Sequence, residues 1–158
     1  MRERVAVAIR RARPADADAI VTVLRRSITE LCVDDHHNDP GVLGGWLQNK
    51  TASNVCVWID APGNFMVIAE GATSGVCGVA SLSAAGLILL CYVLPEVQFG
   101  GVGRALLEAV EAEARLRGLR ELSLESTLSA QAFYSRHGYN PKQDGPSDSP
   151  MLFKSLTR

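Results

Sequence analysis

A glycine-rich turn between an apolar segment and an amphipathic one is the feature of this sequence best suited to bind a ligand. Residues 87–94 are apolar, Pro95 ends them, and Gly100, Gly101 and Gly103 precede residues with helical spacing. Glycine allows the backbone to approach a ligand closely, and the first turn of a helix has N–H groups without helical partners. Such a turn can hold a phosphate or pyrophosphate, or it can simply connect a strand to a helix.

Two other phosphate-binding motifs are excluded at this turn. A P-loop requires Gly-Lys followed by Ser or Thr, whereas Gly103 is followed by Arg104 and Ala105. A dinucleotide-binding fold begins with a strand–helix–strand unit and has a ribose-binding acid after the second strand. Glu125 stands near that acidic position, but the three successive strands predicted before the turn do not fit such a fold.

The elements around the turn follow from alternation, helical spacing and turn residues. Val5–Arg11 alternates and predicts a strand, and the spacing from Pro14 to about Cys32 predicts a helix that the polar residues 34–40 break. A short helix is expected over Val42–Asn49. The alternation over Thr51–Asp60 fits a strand, and a helix capped by Thr51 or Ser53 fits equally well.

The rest of the chain predicts an antiparallel meander followed by alternating helices and strands. The meander consists of three strands, Phe65–Glu70, Gly75–Leu82 and Leu87–Leu94. After the turn we expect a long helix ending at Gly118, a strand through Leu122 and Leu124, a helix over Ser129–His137 and a last strand over Met151–Leu156.

Composition limits the class of protein. The chain has 158 residues, of which 47% are hydrophobic and 21% charged, with a net charge of −1. That balance is typical of one folded domain and disfavours nucleic-acid binding through phosphate neutralisation. No apolar run approaches the roughly 20 residues of a membrane span, so we expect no membrane partner and a cytoplasmic protein. Four cysteines without a CxxC pair are expected to be reduced.

The densest polar cluster in the sequence is a poor candidate for a metal site. It includes the adjacent pair His36 and His37 with acidic residues on both sides, at 34, 35 and 39. Adjacent histidines point apart, and no third ligand stands at a suitable spacing. We therefore expect no metal.

Two segments, in order and about thirty residues apart, resemble the GCN5-related N-acetyltransferase (GNAT) family. Gln98-Phe99-Gly100-Gly101-Val102-Gly103 matches the family signature Gln/Arg-x-x-Gly-x-Gly/Ala, after a strand ending in Val93-Leu94-Pro95. Ala130–Tyr139 is similar to the family helix Ala-x-x-Phe-Tyr-x-x-x-Gly-Phe/Tyr. The resemblance implies an α/β (α+β) GNAT fold in a single domain over residues 1–158. Its mixed, mostly antiparallel sheet would have six to seven strands and about four flanking helices, and it would splay at the strand that binds acetyl-CoA.

The resemblance also implies roles for individual residues. The backbone of Tyr92, Val93 and Leu94 would pair with the pantetheine arm of acetyl-CoA, the co-substrate. Tyr134 would lie near the cofactor sulfur and act as the general acid that protonates the departing thiolate. The pyrophosphate would be held by the N–H groups of the turn residues Gln98, Phe99, Gly100, Gly101, Val102, Gly103 and Arg104.

One departure from the family pattern leaves a second function open. Gly100 stands where the family commonly has Lys or Arg, so more of the phosphate binding would fall on backbone N–H groups and on Arg104. The first hypothesis is therefore an enzyme that transfers acetyl from acetyl-CoA to a primary amine of a small molecule or peptide, by direct attack in a ternary complex. The alternative is a non-catalytic module that binds or senses acyl-CoA.

The general base and the acceptor site are less clearly marked. Glu125, at the end of the strand before Tyr134, could face the cleft as the base or form a surface ion pair. The same two roles are possible for Glu70, at the end of another predicted strand. Residues 30–60 match the family least and are expected to set specificity. Asp35, His36 and Trp46 in that region are the expected acceptor contacts. The resemblance also allows a homodimer.

Overall fold

Six strands form one sheet in which neighbours along the chain are also neighbours in space. The computed structural model describes residues 4–146 and 149–156. Every neighbouring pair of strands is antiparallel except β4 and β5, which are parallel. The strands are β1 (Val7–Arg11), β2 (Phe65–Gly71), β3 (Gly75–Leu82), β4 (Leu87–Val93), β5 (Glu121–Glu125) and β6 (Met151–Ser155).

Six α-helices and three short 3-10 turns lie in the described residues, two more helices than the expected four. One addition is α2, within the polar stretch predicted to break the first helix, and the other is α4. The helices are α1 (Ala17–Leu31), α2 (Val33–His36), α3 (Pro40–Leu47), α4 (Ala52–Asp60), α5 (Val102–Leu116) and α6 (Gln131–Arg136). The 3-10 turns are Pro14–Asp16, Pro95–Val97 and Leu128–Ala130.

The segment whose sequence fitted a strand or a helix is the helix α4. Thr51 caps it, and its side chain accepts a hydrogen bond from the Asn54 N–H at 3.2 Å. Val55 is fully buried and Val57 is 64% exposed. On a strand these two residues would share one face, whereas two steps along a helix turn them well apart. The cap and the core together therefore favour the helix.

Close packing of α5 against the sheet depends on one glycine of β3. Both α1 and α5 contact β3 and β4, and their apolar faces belong to a single core cluster. A Cβ atom at Gly78 would lie 2.9 Å from Leu106 Cδ1 and 3.1 Å from Val102 Cγ1. The missing side chain thus lets the first turns of α5 approach the sheet beside β4.

The sheet opens between its two parallel strands, as expected. Pairing of β4 with β5 is confined to Leu87 with Ser123 and Ile88 with Leu124. Beyond Ile88, β4 continues to Val93 in register with β3 alone, within the described residues. The two strands therefore diverge toward the glycine-rich turn.

Among the described residues, no helix is both long enough and apolar enough to cross a bilayer.

Candidate active site

The gap between β4 and β5 leads into a cavity of about 490 Å³. Its walls come from the end of α1, β4, the glycine-rich turn, the first turn of α5, the end of β5 and α6. Most of the residues predicted to bind the cofactor lie on it, namely Tyr92, Val93, Gln98, Phe99, Gly101, Gly103, Arg104 and Tyr134. Leu94, Gly100 and Val102 are buried next to these residues.

The edge of β4 that faces the gap has backbone groups available for a ligand. The Leu94 N–H donates to the Cys77 carbonyl of β3 at 2.9 Å, so this pair is hydrogen-bonded. Because bonded and non-bonded pairs alternate along an antiparallel ladder, Tyr92 also points its backbone groups toward β3. The N–H and C=O groups of Cys91 and Val93 then face the opening, where an extended ligand could add as a strand.

The glycine-rich turn has a shape that side chains would prevent. Gly101, the N-cap residue that precedes α5, has φ of +88°, and Phe99 also has a positive φ, +67°. A Cβ atom at Gly103 would lie 3.0 Å from Phe133 Cζ on α6. The turn therefore exposes backbone to the cavity and lets α6 pack against the start of α5.

The N-terminal segment explains why glycine stands at position 100. The Val5 N–H donates to the Gly100 carbonyl at 2.8 Å. A Cβ atom at Gly100 would lie 2.6 Å from Val5 Cγ2 and 3.0 Å from the Val97 carbonyl oxygen. A lysine or arginine at position 100 would consequently displace the N-terminal segment from the turn.

Arg4, which the sequence analysis did not single out, lies beside the same turn. A methyl group placed on Gly101 would be 3.4 Å from Arg4 Nε and 3.8 Å from Arg4 Nη2. The segment that excludes a side chain at Gly100 therefore places a guanidinium next to Gly101. No local signal could have revealed it, because Arg4 and Gly101 lie 97 positions apart in the sequence.

Further basic side chains line the cavity near α5 and α6. Arg104 lies on the wall and also forms an exposed ion pair with Glu108 at 2.9 Å, and Arg136 and His137 lie on the α6 side. Burial lowers the pKa of His137, and the nearby Arg104 and Arg136 charges lower it further. This end of the cavity is therefore rich in positive charge.

Tyr134 lies deep in the cavity wall. Its side chain is 7% exposed, and its ring makes edge contacts with Phe133 at 5.3 Å and Tyr139 at 5.9 Å between centroids. Burial raises the pKa of Tyr134 well above its usual value, and neighbouring Cys91 and Tyr92 raise it further. The phenol thus keeps its proton at neutral pH. Burial also raises the pKa of the Cys91 thiol to about 12, so this cysteine is a poor nucleophile.

A second cavity, of about 560 Å³, adjoins the first one. Trp46 and Lys50 line it from the region after α2, and Met151 lines it from β6. It shares lining residues with the first cavity along β4 and at the end of β5. The shared residues are Ile88, Leu89, Leu90, Tyr92, Glu125 and Thr127. A molecule in one cavity would therefore lie next to a molecule in the other.

The two candidate bases lie in different places. Glu125 is exposed at the end of β5, lines both cavities, and forms no ion pair with residues 4–146 or 149–156. Glu70 is the penultimate residue of β2 and accepts a hydrogen bond from Arg10 Nε at 3.2 Å. Neither cavity includes Glu70 among its described lining residues. Glu70 is therefore a partner of Arg10, and of these two candidates Glu125 is the one that lines the cleft.

The three expected acceptor contacts are not equivalent. Trp46 and Asp35 line the second cavity, but the Asp35 carboxylate already accepts hydrogen bonds from Leu128 and Ser129. His36 is 1% exposed, and neither cavity has it among its described lining residues. Its Nε2 lies 2.9 Å from the Ile28 carbonyl, and its Nδ1 accepts from the Asn38 N–H. We therefore leave His36 out of the acceptor site.

The described residues contain no group of three or more His, Cys, Asp or Glu side chains placed to hold a metal ion. The adjacent histidines of the polar cluster also differ in environment, since His36 is buried and His37 is exposed.

Comparison with protein families identifies the class to which this fold and site belong. The model of the acetyltransferase (GNAT) domain matches residues 61–141, just over half of the chain, including the meander, the glycine-rich turn and α6. The chain belongs to the GNAT acetyltransferase family. A search of curated proteins found no significant match.

Solved structures share the fold along nearly the entire chain. A GCN5-related N-acetyltransferase from Rhodopseudomonas palustris is 24% identical with a TM-score of 0.82, and the match covers 98% of each chain. The PaiA N-acetyltransferase from Thermoplasma acidophilum, solved in complex with coenzyme A, is 18% identical with a TM-score of 0.82, covering 96% of this chain and 99% of that one. YncA, a putative acetyltransferase from Salmonella typhimurium solved with acetyl-CoA, is 22% identical with a TM-score of 0.69, covering 97% and 95%.

Proposed function

We propose that this protein transfers acetyl from acetyl-CoA to a primary amine of a small molecule or peptide, within one domain over residues 1–158. The observation that carries the proposal is the position of Tyr134, a buried and protonated phenol on the wall of the cavity beside the open edge of β4. A departing thiolate needs a proton donor, and a phenol held in this way can supply one.

The first cavity has the donors that acetyl-CoA requires. The outward-facing backbone groups of Cys91 and Val93 suit the amide groups of pantetheine, which resembles a short peptide. The N–H groups at the start of α5 suit the pyrophosphate, with Arg4 and Arg104 as nearby cations. Arg4 thus offsets the missing side chain at Gly100. The solved relatives with coenzyme A or acetyl-CoA support the same assignment.

The reaction proceeds by direct attack in a ternary complex. The amine nitrogen attacks the acetyl carbon, the carbon–sulfur bond breaks, and the sulfur takes the Tyr134 proton. The nitrogen then loses its second proton, which restores the Tyr134 phenol through water. An alkyl ammonium has a pKa of about 10.4, so freeing its lone pair at pH 7 costs about 4–5 kcal/mol. Glu125, which lines both cavities, takes that proton directly or through water. The outward N–H near Val93 stabilises the oxyanion of the tetrahedral intermediate.

Thiol release with acetyl-CoA and a library of amines tests the proposal. The wild-type protein should release CoA thiol and add about 42 Da to an amine, and Tyr134→Phe should lower kcat by about 100-fold or more. The affinity of Tyr134→Phe for CoA, measured by calorimetry, should stay within about twofold. Tyr139→Phe, which removes a neighbouring buried hydroxyl outside the cavity lining, should keep kcat within a few-fold.

The non-catalytic alternative makes a different prediction for the same measurements. An acyl-CoA sensor would bind acetyl-CoA without transferring it to any amine of the library, and Tyr134→Phe would change neither property. A folded sample that binds no acetyl-CoA would exclude both functions.

A further inference from the structure

A buried lysine lines the second cavity without a carboxylate partner. Lys50 is 8% exposed and follows α3 at the start of the segment that leads into α4. Its ammonium donates to the Trp46 carbonyl at 3.2 Å and to Asn49 Oδ1 at 2.7 Å. It forms no ion pair with any residue in 4–146 or 149–156. Two of its three ammonium hydrogens are thus bonded, both to neutral oxygens.

The surroundings make this charge costly. Lysine is almost never buried this far without a charged partner, because the interior solvates an ammonium poorly. The guanidinium of Arg25 donates to the carbonyls of Leu47 and Lys50, which adds a second cation nearby. Burial lowers the pKa of Lys50, in agreement with a desolvated and incompletely compensated ammonium.

Capping of α3 accounts for only part of this arrangement. The Trp46 carbonyl is one of the last in α3, and a lysine there can satisfy it. An exposed lysine would serve equally well, because its charge would remain in water. The burial of Lys50 on a cavity wall is left unexplained by the cap, whereas an anion in the cavity would compensate the charge and use the third hydrogen.

We propose that Lys50 binds an anionic group of the acceptor, so that the second cavity selects a small amine that also bears a carboxylate, such as an amino acid. This inference rests on the proposed acetyltransfer. Lys50 and Glu125 bring opposite charges to the same cavity, as a zwitterion requires. A single lysine matches the single charge of a carboxylate, and the Asp35 carboxylate is already bound to Leu128 and Ser129.

Matched acceptors test the selection. Each amino acid of a panel is compared with its amide at saturating acetyl-CoA, with thiol release as the readout. Near neutral pH the amino acid amide is the more reactive amine, because its ammonium group is more acidic and more of it is deprotonated. A preference for the amino acid over its amide therefore reports binding of the carboxylate. We expect kcat/KM to favour the acid at least tenfold in the wild-type protein. Lys50→Met should reduce this ratio about tenfold or more by raising the KM for the amino acid. Lys50→Arg should keep most of the wild-type preference.

Two controls separate recognition from folding. Lys142→Met removes an exposed lysine that pairs with Glu121 at 3.3 Å, and it should leave the ratio unchanged. Thermal unfolding of Lys50→Met shows whether the variant is folded, and Lys50→Gln replaces it if it is not. A capping role alone would lower stability and reduce both rates equally, which would overturn the inference. Equal use of acids and amides by the wild-type protein would also overturn it.

A binding measurement keeps this inference distinct from the proposed function. N-acetyl amino acids, the expected products, are titrated into protein saturated with CoA and observed by calorimetry. Binding that weakens at least tenfold in Lys50→Met supports the carboxylate site even if no amine is acetylated, in which case only the proposed transfer fails. Absence of binding, or equal binding by both proteins, overturns the carboxylate site.

Discussion

The Asp35 carboxylate accepts a hydrogen bond from the Ser129 hydroxyl at 2.6 Å, across 94 positions of the chain. It also accepts from the backbone N–H groups of Leu128 at 2.6 Å and Ser129 at 3.3 Å, and the Thr127 side chain accepts from the Ala130 N–H. The turn that begins the Tyr134 helix is therefore capped from α2. Asp35, which was expected to contact the acceptor, thus also holds the turn that leads to the proposed general acid, Tyr134.

Removing this cap should reduce turnover more than cofactor binding. We expect Asp35→Ala to lower kcat about tenfold, because the start of α6 would lose two backbone partners, and to lower the free energy of unfolding by about 0.5–2 kcal/mol. Asp34→Ala, at an exposed neighbouring position, is the matched control and should change neither. Steady-state kinetics and urea unfolding measure the two effects. A normal kcat together with a lowered stability would show that Tyr134 keeps its position without Asp35.

Arg4 should contribute to cofactor affinity through its charge. We expect Arg4→Ala to raise the Kd for CoA about three- to tenfold at low salt, because a cation beside Gly101 would be lost. Its side chain is exposed, so the effect should shrink as ionic strength increases. Arg13→Ala, at another exposed arginine, is the control. An effect that does not depend on salt, or one that Arg13→Ala also produces, would contradict a direct role for Arg4.

Local pattern was sufficient to predict most of the fold. Gly75–Leu82 has the predicted bounds, and the other meander strands differ by a single residue at one end. Alternation, proline and glycine determine such elements within short windows. The fold and the family motifs could be predicted because both are encoded in neighbouring residues.

Features that depend on contacts between distant segments could not be predicted. Residues 51–60 fitted two elements, and the core that buries Val55 and exposes Val57 supports the helix that Thr51 caps. The sequence suggested that the His36 side chain could contact the acceptor, but in the structure it is buried and lies beside the Ile28 carbonyl. The presence of Arg4 at the turn and the capping role of Asp35 likewise arise from long-range contacts, for which a single sequence contains no local signal.

A buried polar group beneath the site should govern stability without governing chemistry. The Tyr139 hydroxyl donates to Glu111 Oε2 at 2.7 Å, and Lys154 donates to both oxygens of the same carboxylate. We expect Tyr139→Phe to lower the free energy of unfolding by about 1–3 kcal/mol, because Glu111 is buried and would lose one of its donors.

The control for that measurement is a pair on the same helix. Glu113 on α5 pairs with Arg117, the residue that follows this helix, and Glu113→Gln should lower the free energy of unfolding by about 0.5 kcal/mol or less. Urea unfolding of both variants at neutral pH provides the comparison. Equal losses in the two variants would show that the buried network contributes no more than a surface pair.

The pH dependence of stability should depend on Asp16. Arg10 donates to both Asp16 oxygens at 2.9 Å, and the Arg13 N–H donates to the carboxylate at 2.8 Å. The Arg10 hydrogen bonds lower the pKa of Asp16 in the folded protein below the reference value of 3.8. Folding therefore favours the ionised form, and the stabilisation is complete above about pH 5 and lost as the pH falls through the lower folded-state pKa.

Asp16→Asn should remove that dependence. We expect the variant to lose about 1–2 kcal/mol of unfolding free energy at pH 7, since a charge-assisted pair becomes a neutral one. Its stability should then fall less steeply than that of the wild-type protein below pH 4. Asp18→Asn, at an exposed position in the first turn of α1, should leave the wild-type slope in place. Urea unfolding from pH 3 to pH 7 measures these slopes. Parallel curves for the wild-type protein and Asp16→Asn would mean that other carboxylates cause the loss of stability at low pH.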